Sequence, residues 1–147
     1  MSRPRTLKEM EEDTLQRRCE GLGVVALYLH GSHAGGTARP DSDKDFAYLL
    51  SHGSEPGPVE DALIPLLAEL CGCDESEIDL QNLRQAPPHF RVRVIELGRL
   101  MSVSDTTELA RFHASSVSED RDLERYLAPF RQAMRERIRE GRYAGSS

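Results

Sequence analysis

The chain has 147 residues, of which 38% are hydrophobic, enough for one domain with a modest core. Its 19 Lys and Arg against 25 Asp and Glu leave a net charge of −6, which argues against a plain nucleic-acid module that works by neutralising phosphates. No apolar run approaches the roughly 18–20 residues of a membrane span, and the N-terminus, with Arg3, Arg5 and Lys8 before Glu9 to Asp13, has no apolar secretory region.

Three cysteines, Cys19, Cys71 and Cys73, make an odd count that fits a reducing, cytoplasmic setting. Cys71-Gly72-Cys73 lacks the spacing of a metal or redox pair and reads as two small apolar residues closing a helix. The charge is uneven. Residues 51–80 hold eight acids and no Lys or Arg, whereas residues 111–147 hold eight Arg against six acids.

In chain order, residues 5–20 read as a charged first helix, with Leu7, Met10, Leu15 and Cys19 near helical spacing and Gly21 and Gly23 ending it. Val24 to Leu29 is a continuous apolar run and predicts a buried strand. A Gly-rich loop follows from His30-Gly31-Ser32 to Pro40, and Asp43 to Leu50 predicts a second strand. Val59 to Leu70 predicts an amphipathic helix whose true start is expected at Pro65, since proline suits a first helical turn. Glu77 to Leu83 predicts a third strand. Pro87-Pro88 opens a further helix, for which Gly98 is a C′ cap, and Leu100-Met101 is briefly extended. Asp105-Thr106-Thr107-Glu108 resembles a capping box that starts the last helix. Its apolar stripe of Leu123, Leu127, Phe130, Met134 and Ile138 is expected to pack on the domain's own sheet, with Pro129 kinking or dividing it. The prediction is an α/β protein: a small mixed β-sheet with helices packed on it, and a C-terminal helical tail. It forms a single domain over residues 1–147, with its core in 1–103 and its tail in 104–147.

The chemistry concentrates between Gly31 and Asp45. Residues i and i+2 of a strand share a face, so Asp43 and Asp45 point the same way about 6.6 Å apart along the chain. Two carboxylates that close repel unless a cation lies between them, and Mg²⁺ suits carboxylate, water and phosphate oxygens. Upstream, Gly31 allows close backbone approach to a phosphate, which the Ser32 hydroxyl and nearby N–H groups can cradle. His30 and His33 flank that turn. A third carboxylate, Asp79, lies between apolar Ile78 and Leu80 and so faces away from them. If its strand pairs beside the second one, Asp79 joins Asp43 and Asp45. A phosphate cradle beside metal carboxylates is what nucleotidyl transfer requires, and two ions about 3.5–4 Å apart are the common arrangement.

The motif Gly-Ser-x10-Asp-x-Asp, here Gly31-Ser32 and Asp43-Lys44-Asp45 after an apolar strand, resembles the nucleotidyltransferases of the polymerase-β superfamily. Ile78-Asp79-Leu80 resembles the third-carboxylate strand. Ala86-Pro87-Pro88 and Arg91 to Leu100 resemble the stretch that follows it, and the tail segments Arg125-Tyr126-Leu127 and Glu140-Gly141-Arg142-Tyr143 resemble the C-terminus of the minimal nucleotidyltransferase (MNT) antitoxins. The resemblance implies the nucleotidyltransferase fold and an Mg²⁺-dependent enzyme that transfers AMP from ATP to a tyrosine of a HEPN-domain ribonuclease toxin. Asp43, Asp45 and Asp79 would be the catalytic and metal-binding residues, and Gly31, Ser32 and Arg39 would meet the nucleotide. The partners implied are ATP and the HEPN toxin, in a hetero-oligomer, with no direct nucleic acid and no membrane. The chain departs from the family pattern at Gly35, where many members carry Arg, and Arg39 is the expected substitute. It also departs at Lys44, usually apolar, which is expected to point away from the metal face. The alternatives are a small-molecule nucleotidyltransferase of the aminoglycoside type and an antitoxin that acts by binding alone.

Overall fold

A computed structural model of the chain describes residues 7–31 and 44–141. Eight main elements follow in order: α1 (Leu7–Leu22), β1 (Val24–His30), β2 (Lys44–Leu50), α2 (Pro56–Cys71), β3 (Ile78–Asn82), α3 (Pro88–Leu97), β4 (Arg99–Val103) and α4 (Thr106–Arg139). Short 3₁₀ turns at Glu75–Glu77 and Leu83–Gln85 bracket β3. The strands form one mixed sheet in the order β3-β2-β1-β4. β1 pairs antiparallel with β2 and β4, and β2 pairs parallel with β3 through the α2 crossover.

The central strands β1 and β2 are apolar along nearly their whole length because both faces are covered. Phe46, Tyr48 and Leu50 pack with Leu15 and Cys19 of α1 and with Val59, Leu63 and Leu67 of α2. Ala47 and Leu49, on the opposite side, pack with Leu83, Val94 of α3 and Phe112 of α4. Gln16 of α1 holds edge strand β4 with three hydrogen bonds. The Gln16 amide donates to the Val103 carbonyl at 2.6 Å and accepts from Ser102 Oγ at 3.0 Å and Val103 N at 3.2 Å.

Several local expectations are corrected. The extended piece at Leu100-Met101 is a full fourth strand of the sheet. Pro65 does not open α2, which runs unbroken from Pro56 to Cys71. Pro65 lies on the solvent side, where the carbonyl it leaves unbonded can meet water, while Leu63 and Leu67 hold the helix to the sheet. Exposed Pro129 likewise leaves α4 continuous over 34 residues. Gly98 is not a left-handed cap: it is extended at φ −74°, and its N–H donates to the Val94 carbonyl at 2.8 Å. Glycine is needed there for space, since a Cβ would fall 2.5 Å from that same carbonyl oxygen. The Asp105 box is half formed. Asp105 caps the Glu108 N–H at 3.0 Å, but the Glu108 carboxylate turns to Arg84 at 3.0 Å and His52 at 3.1 Å.

The tail also behaves differently from expectation. The first part of α4 belongs to the core through Phe112 and Ser116. Past Glu119 the helix leaves the body, and its stripe does not pack on the sheet. Tyr126 is 78% exposed, Phe130 61% and Ile138 56%.

Candidate active site

The site is built on the ends of β1, β2 and β3. In the β1–β2 ladder His30 stands opposite Asp45, and in the parallel β2–β3 ladder Asp45 stands opposite Asp79. Cross-strand partners share a face, and neighbouring strands lie about 4.8 Å apart. His30, Asp45 and Asp79 therefore form a row across three strands, on the side covered by α3 and α4. Lys44 points to the other side, beside the end of α2. There, desolvation and Cys73 push the Cys71 thiol up, and the Lys44 ammonium pulls against them.

Gly31 closes the row. It has φ +72°, a left-handed conformation that favours glycine, and a Cβ at this position would fall 2.8 Å from Asp45 Oδ2. The space that the sequence assigns to a phosphate thus begins at the carboxylate itself. Asp79 is exposed on edge strand β3, where Gln81 Nε2 donates to its Oδ2 at 3.4 Å.

Two clefts adjoin the row, separated by Phe90 of α3. The first, of about 370 Å³, is lined by His30, Gly31, Phe90, Arg93, Val94, Leu97 and Gly98. The second, of about 490 Å³, lies by the end of β3 among Glu60, Gln81, Asn82, Gln85, His89 and Phe90. His30 packs edge-on against the Phe90 ring at 5.4 Å, and its Nε2 is buried with no hydrogen-bond partner among the described residues. The sequence placed His30 beside the turn but pointed to no role for Phe90, Arg93 or Gln81; Gln81 falls two residues after Asp79 and so shares its strand face.

The strand that presents Asp79 is anchored from behind. Arg91 Nε donates to the Leu83 and Ala86 carbonyls at 3.0 and 2.8 Å, and its Nη2 donates to the Arg84 carbonyl at 2.9 Å. Arg84 Nε reaches the Leu50 carbonyl at 2.8 Å. Both guanidiniums lie against the Phe112 ring, at 5.4 Å for Arg84 and 5.3 Å for Arg91.

Of the residues singled out in the sequence, Gly31, Asp45 and Asp79 come together. Ser32, Arg39 and Asp43 lie outside the described residues. Among the described residues no three His, Cys, Asp or Glu side chains form a metal-binding group. Asp45 and Asp79, opposite each other in the ladder, nevertheless put two carboxylates on one face, a donor type that suits a hard divalent cation. No helix among the described residues is long and apolar enough to cross a membrane.

Three strand ends that bring two aspartates to one face beside a glycine turn are consistent with the nucleotidyltransferase fold. The pattern of the family "Polymerase beta, Nucleotidyltransferase" matches residues 13–107, and the chain belongs to that family. No curated protein matches the sequence. Among solved structures, a chain of a toxin–antitoxin crystallised with AMP-PNP is 20% identical with a TM-score of 0.64, covering 83% of this chain and 96% of that one. A chain of a tri-AMPylated Shewanella oneidensis HEPN toxin in complex with its MNT antitoxin is 17% identical with a TM-score of 0.60, covering 86% and 98%. A chain of a MntA–HepT toxin–antitoxin is 18% identical with a TM-score of 0.59, covering 85% and 97%. At these identities the likeness is one of fold.

Proposed function

We propose that this protein is the cytoplasmic antitoxin of a toxin–antitoxin pair, and that it acts as a protein adenylyltransferase moving AMP from ATP to a tyrosine of a HEPN ribonuclease toxin. The observation that carries this reading is the direct register of Asp45 with Asp79 beside Gly31. The solved relatives, bound to AMP-PNP or assembled with an AMPylated toxin, support the choice of nucleotide and acceptor.

In this reading Asp43, Asp45 and Asp79 would hold Mg²⁺, which would supply charge neutralisation on the phosphates. Gly31, Ser32 and Arg39 receive the triphosphate, with the first cleft open beside Gly31 for the rest of the nucleotide. Asp79, exposed on its edge strand, is reachable by an incoming protein. It orients the tyrosine hydroxyl and takes its proton as the oxygen attacks the α-phosphorus, and pyrophosphate leaves. A free tyrosine has a pKa near 10, so such help is needed at neutral pH.

The test is incubation of the protein with labelled ATP, Mg²⁺ and the product of the neighbouring gene. Label on that product is expected. Label on an aminoglycoside instead would favour the small-molecule enzyme, and a tight complex without label would favour inhibition by binding alone. As a prediction within this assay, Asp79→Asn leaves ATP affinity within a few-fold and lowers transfer by about 10²–10⁴, the range of a lost general base. Parallel loss of both, or unchanged transfer, overturns the assignment of Asp79.

A further inference from the structure

Beyond Glu119, whose carboxylate pairs with Arg91 at 3.2 Å, α4 extends through residues 121–139, roughly 28 Å of helix. Its apolar stripe continues the face by which Leu109, Phe112 and Ser116 meet the body. Placed in heptads, the seam positions run Asp120 (a), Leu123 (d), Leu127 (a), Phe130 (d), Met134 (a) and Arg137 (d). Leu123 is 38% exposed, and Phe130 is exposed more fully.

We propose that this half of α4 pairs antiparallel with the same segment of a second copy of the chain. Antiparallel helices stack each a position against a d position. One register sets Leu127 against Phe130 of the partner subunit and Leu123 against Met134 of the partner subunit, each contact made twice by symmetry. The same register puts Asp120 opposite the partner's Arg137. It also puts Glu124, at an e position, opposite the partner's Arg131. In the single chain Glu124 and Arg131 bond to each other along the helix; pairing replaces that contact with two between copies.

Steric limits select the same register. It overlays the free segments over their whole length, from Asp120 to Arg137, and leaves the two bodies at opposite ends of the rod. Shifting the helices together by one heptad would drive Arg137 opposite His113 of the partner subunit, where α4 is covered by α3 through the His113–Glu96 contact. Shifting them apart by one heptad would leave seam positions bare. A parallel pair would set Arg137 against Arg137 and Asp120 against Asp120, and would bring both bodies to one end. Pro129 falls at an outward c position, and the carbonyl it leaves unbonded, that of Arg125, is also outward.

This pairing does not depend on the catalytic reading. It is tested on the full chain alone by sedimentation equilibrium over a micromolar concentration series. The expected result is a mass rising from 16.5 kDa toward twice that value. Phe130→Asp, at a position exposed in the single chain, should fold normally and stay monomeric throughout. Arg137→Asp should weaken association by about tenfold, and adding Asp120→Arg to it should restore association. Three outcomes overturn the proposal: a monomer at every concentration, a dimer indifferent to Phe130→Asp, or a charge swap that fails to restore. A wild-type monomer whose HEPN partner is released by Phe130→Asp would assign the face to that partner instead.

Discussion

Gly31 is the residue on which conformation and chemistry meet most closely. Alanine there would hold a left-handed φ at a cost of about 1–2 kcal/mol, and its methyl would displace the Asp45 carboxylate. Gly31→Ala should therefore lower ATP affinity and AMP transfer together, measured as calorimetric binding and initial rate on one preparation, with urea unfolding reporting the stability loss. The Gly-Ser signal was legible in the sequence, but its tightest neighbour, a carboxylate 14 residues downstream, was not, because only sheet register brings them together. Tyr48 makes a second residue-scale case. Fully buried, it donates to Glu60 Oε1 at 2.6 Å, and both burial and that carboxylate push its hydroxyl up from 10.0. Burial likewise pushes the Cys19 thiol up from 9.0. Both groups hold their protons more tightly folded than unfolded, so their contribution is full below those ordinary values and drains as pH rises past them. Melting temperature should fall above about pH 9, and Tyr48→Phe should make the fall above pH 10 shallower. Near neutrality the same change should cost about 1 kcal/mol, because it removes the hydrogen bond to Glu60.

Among the elements, β3 is the one whose placement is least secured by its own residues. It is five residues long, lies at the sheet edge and has an exposed outer face. The turn that ends it is held instead by the Arg91 fork across three carbonyls. Arg91→Lys keeps the charge but cannot reproduce that planar geometry. It should lower stability by about 1–3 kcal/mol, read as roughly 2–4 °C of melting temperature per kcal/mol. The hydrophobic pattern made β1, β2 and the face of α2 readable, since apolar runs and helical spacing report burial directly. Arg91 carried no such signal: an arginine in a helix reads as solvated until the carbonyls it meets are known. Pro65 and Pro129 misled for a related reason. Their local penalty is real, but at exposed positions water relieves it.

At the scale of the molecule, the body and the projecting half of α4 contribute unequally to stability. Ending the chain at Arg121 removes no buried core residue, so at concentrations low enough for the full chain to be monomeric its melting temperature should stay within about 2 °C of the full chain. A larger drop would mean that the outer helix supports the body. The stripe itself was legible as periodicity, yet its destination was not, because a helical pattern marks a face that seeks cover without saying what supplies it.

The parallel joint between β2 and β3 has a kinetic consequence. Asp45 and Asp79 are 34 residues apart and become neighbours only after α2 has crossed over and settled, so a chain segment must close before any ladder bond forms. The antiparallel partners β1 and β2 can meet without waiting for that crossover. Asp79 should therefore be a late arrival during refolding and an early departure during partial opening. Amide hydrogen exchange should report this as weaker protection at Leu80 than at Leu27, with loss of catalytic competence tracking the Leu80 amide before the rest of the sheet lets go.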